Sequence, residues 1–284
     1  MEYKISKLAS LLEIKAPIDI VDIGANSIIG DGDEAPYKPL LDSGLAHVYG
    51  FEPNPDALAR LNAAKGQNET YFPSAVYNGA EQELRVCQQE GMTSLLEPNI
   101  NLLSYLHGFP EWGKVVERIS VPTVRLDDFT EIKNLDYLKI DIQGGELEVF
   151  RNGTNRLKEC LVIQTEVEFL PMYEGQPLFS EVELYLRELG FTFHKFFPLV
   201  SRIVKPLLIN NDIYSELSQA TYADAIFIKD FTKFDQLDPE QLKKISLILN
   251  DIYGSFDIAL RALMACDAKN KSNYAEQYVK HLSK

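Results

Sequence analysis

Basic residues are in deficit in this chain of 284 residues, where 28 Lys and Arg stand against 42 Asp and Glu for a formal net charge of −14. Such a surface repels a phosphate backbone, which argues against a nucleic-acid substrate and favours neutral or cationic partners. Cysteine is scarce as well. Cys87, Cys160 and Cys266 are odd in number and lack C-x-x-C spacing, so neither a disulfide framework nor a zinc site is indicated, and the cytoplasm is the expected compartment. No apolar run approaches the length of a membrane span. Residues 1–15 mix charged and apolar side chains with no h-region or cleavage site, so a soluble, unprocessed protein is the expectation.

Two phosphate-binding signatures are missing too. A dinucleotide fingerprint needs Gly-x-Gly-x-x-Gly after the first strand, whereas here the turn runs Gly24-Ala25-Asn26-Ser27-Ile28-Ile29-Gly30, with an amide where the second glycine belongs. No Gly-Lys-Ser or Gly-Lys-Thr follows, so a Walker loop is absent as well.

What is present is ordinary for a soluble globular chain: 45% hydrophobic and 25% charged residues, in a length that suits one large domain with an appendage. Ile5, Leu8, Leu11 and Leu12 are spaced for a short amphipathic helix. Ile18-Asp19-Ile20-Val21-Asp22-Ile23 reads as a strand ending on Gly24. The polar stretch 31–36 reads as a solvated loop, since its acids lack the rest of a calcium-binding loop. A helix begins within 37–43, strands follow at 47–52 and 70–74, and a helix at 56–65 separates them. This alternation predicts a parallel sheet. The stretch 83–124 breaks the rhythm with two extended pieces, 84–87 and 121–124, flanking a proline-broken aromatic loop at 105–112. Alternation then resumes with strands at 137–141 and 160–166, helices at 146–151 and 180–189, and strands at 191–196 and 223–228. From Asp238 onward apolar stripes predict two or three helices packing on the main domain or on a second copy. The fold class is therefore α/β: a Rossmann-like, seven-stranded, mostly parallel sheet with helices on both faces over residues 1–230, and a C-terminal helical extension over 231–284.

In a doubly wound sheet the ligand sits beyond the carboxyl ends of the strands, where an acid closing the second strand takes ribose hydroxyls. Gly24 and Glu52 occupy those places. A cofactor with a ribose but no phosphate remains, and S-adenosylmethionine fits. Asp22 and Asn26 are then candidates to meet its ammonium and carboxylate, with Ala25, Pro53, Asn54 and Ala75 alongside; the competing reading is that Asp22 and Asn26 cap a turn. A second cluster, Lys139-Ile140-Asp141-Ile142-Gln143-Gly144-Gly145-Glu146, places Asp141 at the reactive end of the cofactor site, as both cofactor contact and catalytic candidate. Glu166 and Glu168 close the next strand, where a carboxylate can orient a nucleophile, act as base or hold a metal. Against this, Lys139 would pair with Asp141 or Glu146, and Glu168 would be a solvated loop residue. His194 and His107 are further candidates for the base. No metal ligand set is assigned.

Taken in order, these pieces resemble the FkbM-type S-adenosylmethionine-dependent methyltransferases. The resemblance rests on Val21-Asp22-Ile23-Gly24-Ala25-Asn26, Phe51-Glu52-Pro53-Asn54-Pro55, Thr93-Ser94-Leu95, Leu126-Asp127-Asp128-Phe129 and residues 138–146. Glu166-Val167-Glu168-Phe169, Tyr173 and Gln176-Pro177-Leu178-Phe179 continue it, so that it covers residues 18–228. It implies a class I methyltransferase fold, O-methylation of a sugar or polyketide hydroxyl, and cofactor binding by Asp22, Gly24, Asn26 and Glu52. The family usually has glutamate where this chain has Gln143 and alanine where it has Gly145. The expected activity is methyl transfer to a hydroxyl of a glycan or secondary metabolite, with no nucleic-acid or membrane partner and with a homo-oligomer compatible. A non-catalytic protein that keeps the fold and binds a partner through its acidic surface and helical tail is the alternative. A nicotinamide-dependent oxidoreductase is disfavoured by the glycine loop.

Overall fold

The computed structural model describes residues 7–25 and 35–282. Asn26 and the acidic stretch 31–34 therefore lie outside the described residues.

The chain opens with α1 (Lys7–Leu12) and β1 (Ile18–Ile23), then α2 (Lys38–Asp42), β2 (Ala46–Phe51), α3 (Pro55–Ala64) and β3 (Glu69–Phe72). Every residue of β1 is buried, as a strand covered on both faces must be. α3 starts where expected: Pro55 occupies its first turn, and the Asn54 side chain accepts from the backbone N–H groups of Asp56 and Ala57. The insert contributes β4 (Ala75–Val76), β5 (Glu81–Cys87), α4 (Ile100–Leu103), α5 (Phe109–Trp112) and β6 (Val115–Val124). The stretch 105–112 read as an aromatic loop thus ends in the short helix α5, with α4 just before it, and a local core that includes Leu103, Leu106 and Phe109 holds both.

Then come β7 (Tyr137–Ile140), α6 (Glu146–Arg151), α7 (Thr154–Leu157), β8 (Val162–Glu168), α8 (Phe179–Glu188), β9 (Phe191–Arg202) and β10 (Gln219–Lys229). The last two strands are roughly twice the length expected, because β9 and β10 pair with each other far past the point where the apolar pattern stops. Cross-strand hydrogen bonding carries the hairpin over this stretch, where Thr221 is buried and Tyr222 packs on the core of the insert.

Seven strands form one sheet in the order β3-β2-β1-β7-β8-β10-β9. The pairings among β3, β2, β1, β7 and β8 are all parallel, and β10 alone is antiparallel to both its neighbours. This is the expected α/β architecture. Strand order reverses between β1 and β7, which places a crevice above their carboxyl ends. β4, β6 and β5 form a separate three-stranded sheet.

The C-terminal helices are α9 (Pro239–Asp251), α10 (Phe256–Asn270) and α11 (Tyr274–Leu282). A capping box between Asp238 and Gln241 starts α9. Leu242, Ile245, Leu249 and Leu263 share one core with Ile18, Ile20, Tyr137 and Val162. The tail is thus one of the two helical layers covering the sheet, and residue 230 marks a change in sequence pattern within a continuous core.

Candidate active site

Gly24, Glu52, Asp141 and Glu166 come together at the carboxyl ends of β1, β2, β7 and β8 because these strands are parallel neighbours or near neighbours in register. Gly24 adopts φ +79°, and a Cβ there would lie 2.0 Å from the Asp141 carbonyl oxygen, so only glycine lets the first turn pass this close to β7. The Gly24 and Ala25 N–H groups both donate to the Phe51 carbonyl, at 3.0 and 3.1 Å. They are directed at β2 and leave no cradle for phosphate at this point. Glu52 is buried, and its Oε1 accepts from the Asn54 N–H at 2.7 Å. Pro53 and Asn54 are exposed beside it, and half-buried Ala75 pairs with Thr123 at the start of the second sheet. A buried carboxylate beside two amides already bonded to β2 suits a ligand that presents hydroxyls.

Asp22 has a different place from the one expected. Its side chain is buried beneath the turn, where Oδ2 accepts from the Tyr37 hydroxyl at 2.5 Å and Oδ1 faces Lys139 Nζ at 3.3 Å. Burial raises the pKa of Asp22, with Lys139 and Tyr37 opposing it. Burial acts to lower that of Lys139, but Asp22, Asp141 and Asp224 outweigh it and the group stays above the usual lysine range. Lys139 thus pairs with Asp22, and not with Asp141 or Glu146. On the same face, Gln164 Oε1 accepts from the Tyr137 and Tyr253 hydroxyls at 2.9 and 2.8 Å, while its Nε2 donates to Asp224 at 2.5 Å. Sequence reasoning missed Tyr37, Gln164 and Tyr253. An amide within a buried apolar strand was the one available signal, since it demands partners.

At the rim, Gln143 Nε2 donates to Asp141 Oδ1 and to Glu166 Oε2, each at 2.8 Å. Its Oε1 accepts from the Tyr173 hydroxyl at 3.2 Å, and its backbone carbonyl accepts from Ser94 Oγ at 2.7 Å. The Thr93-Ser94-Leu95 piece therefore serves the rim, although it is distant in sequence. Glu146 Oε1 accepts from the N–H groups of Ile142 and Gly144, and burial pushes the pKa of Glu146 up to about 7. Burial, with Asp141, Glu168 and Glu146 nearby, raises Glu166 well above the carboxylate range; burial and the same neighbours do so for Glu168. Glu168 lies within β8 at 3% exposure, so it is no solvated loop residue. Among the described residues no Lys, Arg or His forms an ion pair with these four acids.

His194 is not part of this rim. It lies near the start of β9, level with the middle of β8, where its Nε2 hydrogen-bonds Ser255 Oγ at 2.7 Å at the foot of α10; burial lowers its pKa. The exposed His107 bonds the Leu207 carbonyl and ties the insert to the β9–β10 loop, as does the stacking of Trp112 on Tyr214. A cleft of about 390 Å³ near Arg187 and Phe191 opens at the opposite end of the sheet. A smaller cavity of about 130 Å³, lined by Tyr77, Leu96, Gly144 and Gly145, adjoins the rim.

The chain is similar to several known proteins. A putative methyltransferase from Thermoplasma acidophilum aligns over 80% of this chain and 75% of its own length, with 12% identity and a TM-score of 0.39. Magnesium protoporphyrin IX methyltransferase from Synechocystis PCC 6803, solved with bound SAM, aligns over 77% and 75%, with 10% identity and a TM-score of 0.37. In sequence, the chain is 29% identical over 192 residues to the 2-O-methyltransferase NoeI of Sinorhizobium fredii, covering 63% of this chain and 74% of that protein. The methyltransferase FkbM domain model matches residues 22–193, from the buried acid of β1 to the start of β9 and across the whole rim. The chain belongs to the FkbM methyltransferase family.

Proposed function

We propose that the chain is an S-adenosylmethionine-dependent O-methyltransferase acting on a hydroxyl of a glycan or secondary metabolite. The observation that carries this reading is the rim, with a buried acceptor, Glu52, beside the Gly24 and Ala25 amides already bonded to β2 and two carboxylates across the crevice. The similarity to a 2-O-methyltransferase supports a hydroxyl acceptor. Glu52 would hold the ribose hydroxyls, with Gly24, Ala25, Pro53 and Asn54 about the same end and Ala75 at the start of the adjoining sheet, and Asn26 is proposed to meet the methionine part of the cofactor.

S-adenosylmethionine supplies, when bound, a methyl group activated by a sulfonium. The protein's share is positioning and proton removal. Asp141 orients the acceptor hydroxyl, and Glu166, held beside it through Gln143, takes its proton. A net charge of −14 supports a small or glycan acceptor over nucleic acid. The cytoplasm is the proposed compartment, and a homo-oligomer is compatible with this reading.

Calorimetric titration of the full chain tests the proposal. Binding of S-adenosylmethionine and of its demethylated product is expected, and binding of neither overturns it. Labelled methyl transfer into a fractionated lysate then identifies the acceptor. Cofactor binding with no transfer into any fraction would favour the non-catalytic reading instead.

A further inference from the structure

We infer that Gln143 is the positioning residue of this rim: its single carboxamide nitrogen fixes Asp141 and Glu166 side by side and makes the pair independent of a bridging cation. The inference rests on the methyltransferase reading for its meaning, but its geometry stands alone.

One nitrogen lies 2.8 Å from a carboxylate oxygen on each side, so each N–H is committed to a different acid. The two acids orient the amide, since a flip would set its oxygen against an acid oxygen on each side; the Tyr173 hydroxyl lies 3.2 Å from both Oε1 and the Met92 carbonyl. The backbone is committed as well. Gln143 adopts φ +60°, a left-handed conformation rare outside glycine, and buried Ser94 holds its carbonyl from the insert. A conformation that unfavourable persists only where the surroundings over-determine it, and such positions cluster at active sites.

Charge explains the need for an amide here. Asp141 closes β7, Glu166 and Glu168 lie on β8, Glu146 opens α6 and Asp224 faces them from β10, while Tyr173 and Tyr222 add only hydroxyls. Of the cations about this cluster, Lys139 is bonded to Asp22, and Arg202 of β9 donates to the Tyr222 hydroxyl. Among the described residues no three His, Cys, Asp or Glu are grouped to hold a metal. A carboxylate at 143 would bring a third anionic oxygen to this point, and oxygens so placed share either a proton or a cation.

The test uses the full chain with Mn²⁺ alone as the probe. Q143E is expected to bind Mn²⁺ at least tenfold more tightly than the wild type by calorimetry. Without metal, its melting temperature should fall more steeply than that of the wild type as pH rises from 5 to 8. Equal Mn²⁺ affinity of the two proteins, or identical pH profiles, overturns the inference. Should Q143E fail to fold with or without Mn²⁺, Q143M decides. It keeps the length and loses both donors, so a steeper pH profile is expected, and a wild-type profile overturns the inference. Neither readout depends on S-adenosylmethionine, so failure of cofactor binding by the wild type is distinguishable from failure of this proposal.

Discussion

The polar system beneath the middle of the sheet and the one at its rim share β7 and β8 but differ in charge balance. Below, Asp22 has Lys139 and the Tyr37 hydroxyl, and Gln164 has Tyr137, Tyr253 and Asp224. Anion meets cation, and amide meets hydroxyl and acid. At the rim, four acids lie together, two of them bonded to the Gln143 amide and one to backbone N–H groups, and no cation forms an ion pair with them among the described residues. A balanced network is stable in low dielectric and holds a shape; an unbalanced one raises its own pKa values and supplies proton acceptors near neutral pH. Their adjacency gives the second a rigid floor in the first.

The comparison breaks most readily at Lys139. Lys139→Met strands a buried carboxylate, and urea denaturation should show a loss of about 3–5 kcal/mol, as for other broken buried pairs. A loss below about 1 kcal/mol would deny the lower network its structural role. At the rim, Glu52→Ala should leave the fold intact and weaken S-adenosylmethionine about 10- to 100-fold in calorimetry, the usual worth of hydrogen bonds to a charged group. Unchanged binding would move the ribose site elsewhere. Tyr253→Phe removes one of two donors to Gln164 and should lower stability by about 1 kcal/mol with no change in cofactor affinity.

Glu146 tests the electrostatics through pH. Its folded pKa of about 7 lies above its ordinary 4.5, so the folded protein binds the proton more tightly. The resulting stability is complete below pH 4.5 and is lost as pH rises through about 7. Glu146→Gln retains an oxygen for the N–H groups of Ile142 and Gly144 and should flatten this slope, with a higher melting temperature than wild type at pH 8. An unaltered slope would assign it to Glu166 or Glu168. The smallest effect belongs to His194→Gln, which should leave cofactor affinity unchanged. Since burial depresses the pKa of His194, its contribution is full above pH 6.5 and declines as pH falls below that. Loss of cofactor binding in this variant would return the histidine to the site.

Much of this molecule is legible in its residues because the signals are local. The largely apolar β1 and β7, the Pro55 and Asp238 helix starts and the glycine turn each follow from a few neighbouring side chains. Glu52, Asp141 and Glu166 could be placed at one rim because parallel strands all end on the same edge of the sheet. The errors arose where contacts are long-range. Lys139 was matched with acids next to it in sequence, whereas registry with β1 makes Asp22 its lateral neighbour. His194 resembled a base until β9 was seen to begin at the far end of the sheet.

Charge and composition by themselves disfavoured nucleic acid, and the ordered motifs by themselves identified the family and the rim-forming residues. Only the tertiary structure decided what each polar group does there. It buried Asp22 against Tyr37 and Lys139, joined the C-terminal helices to the core of the sheet, and set Gln143 between two acids. Motifs follow local chain geometry, but the protonation and partners of a buried group depend on everything packed around it, and most of that comes from distant parts of the chain.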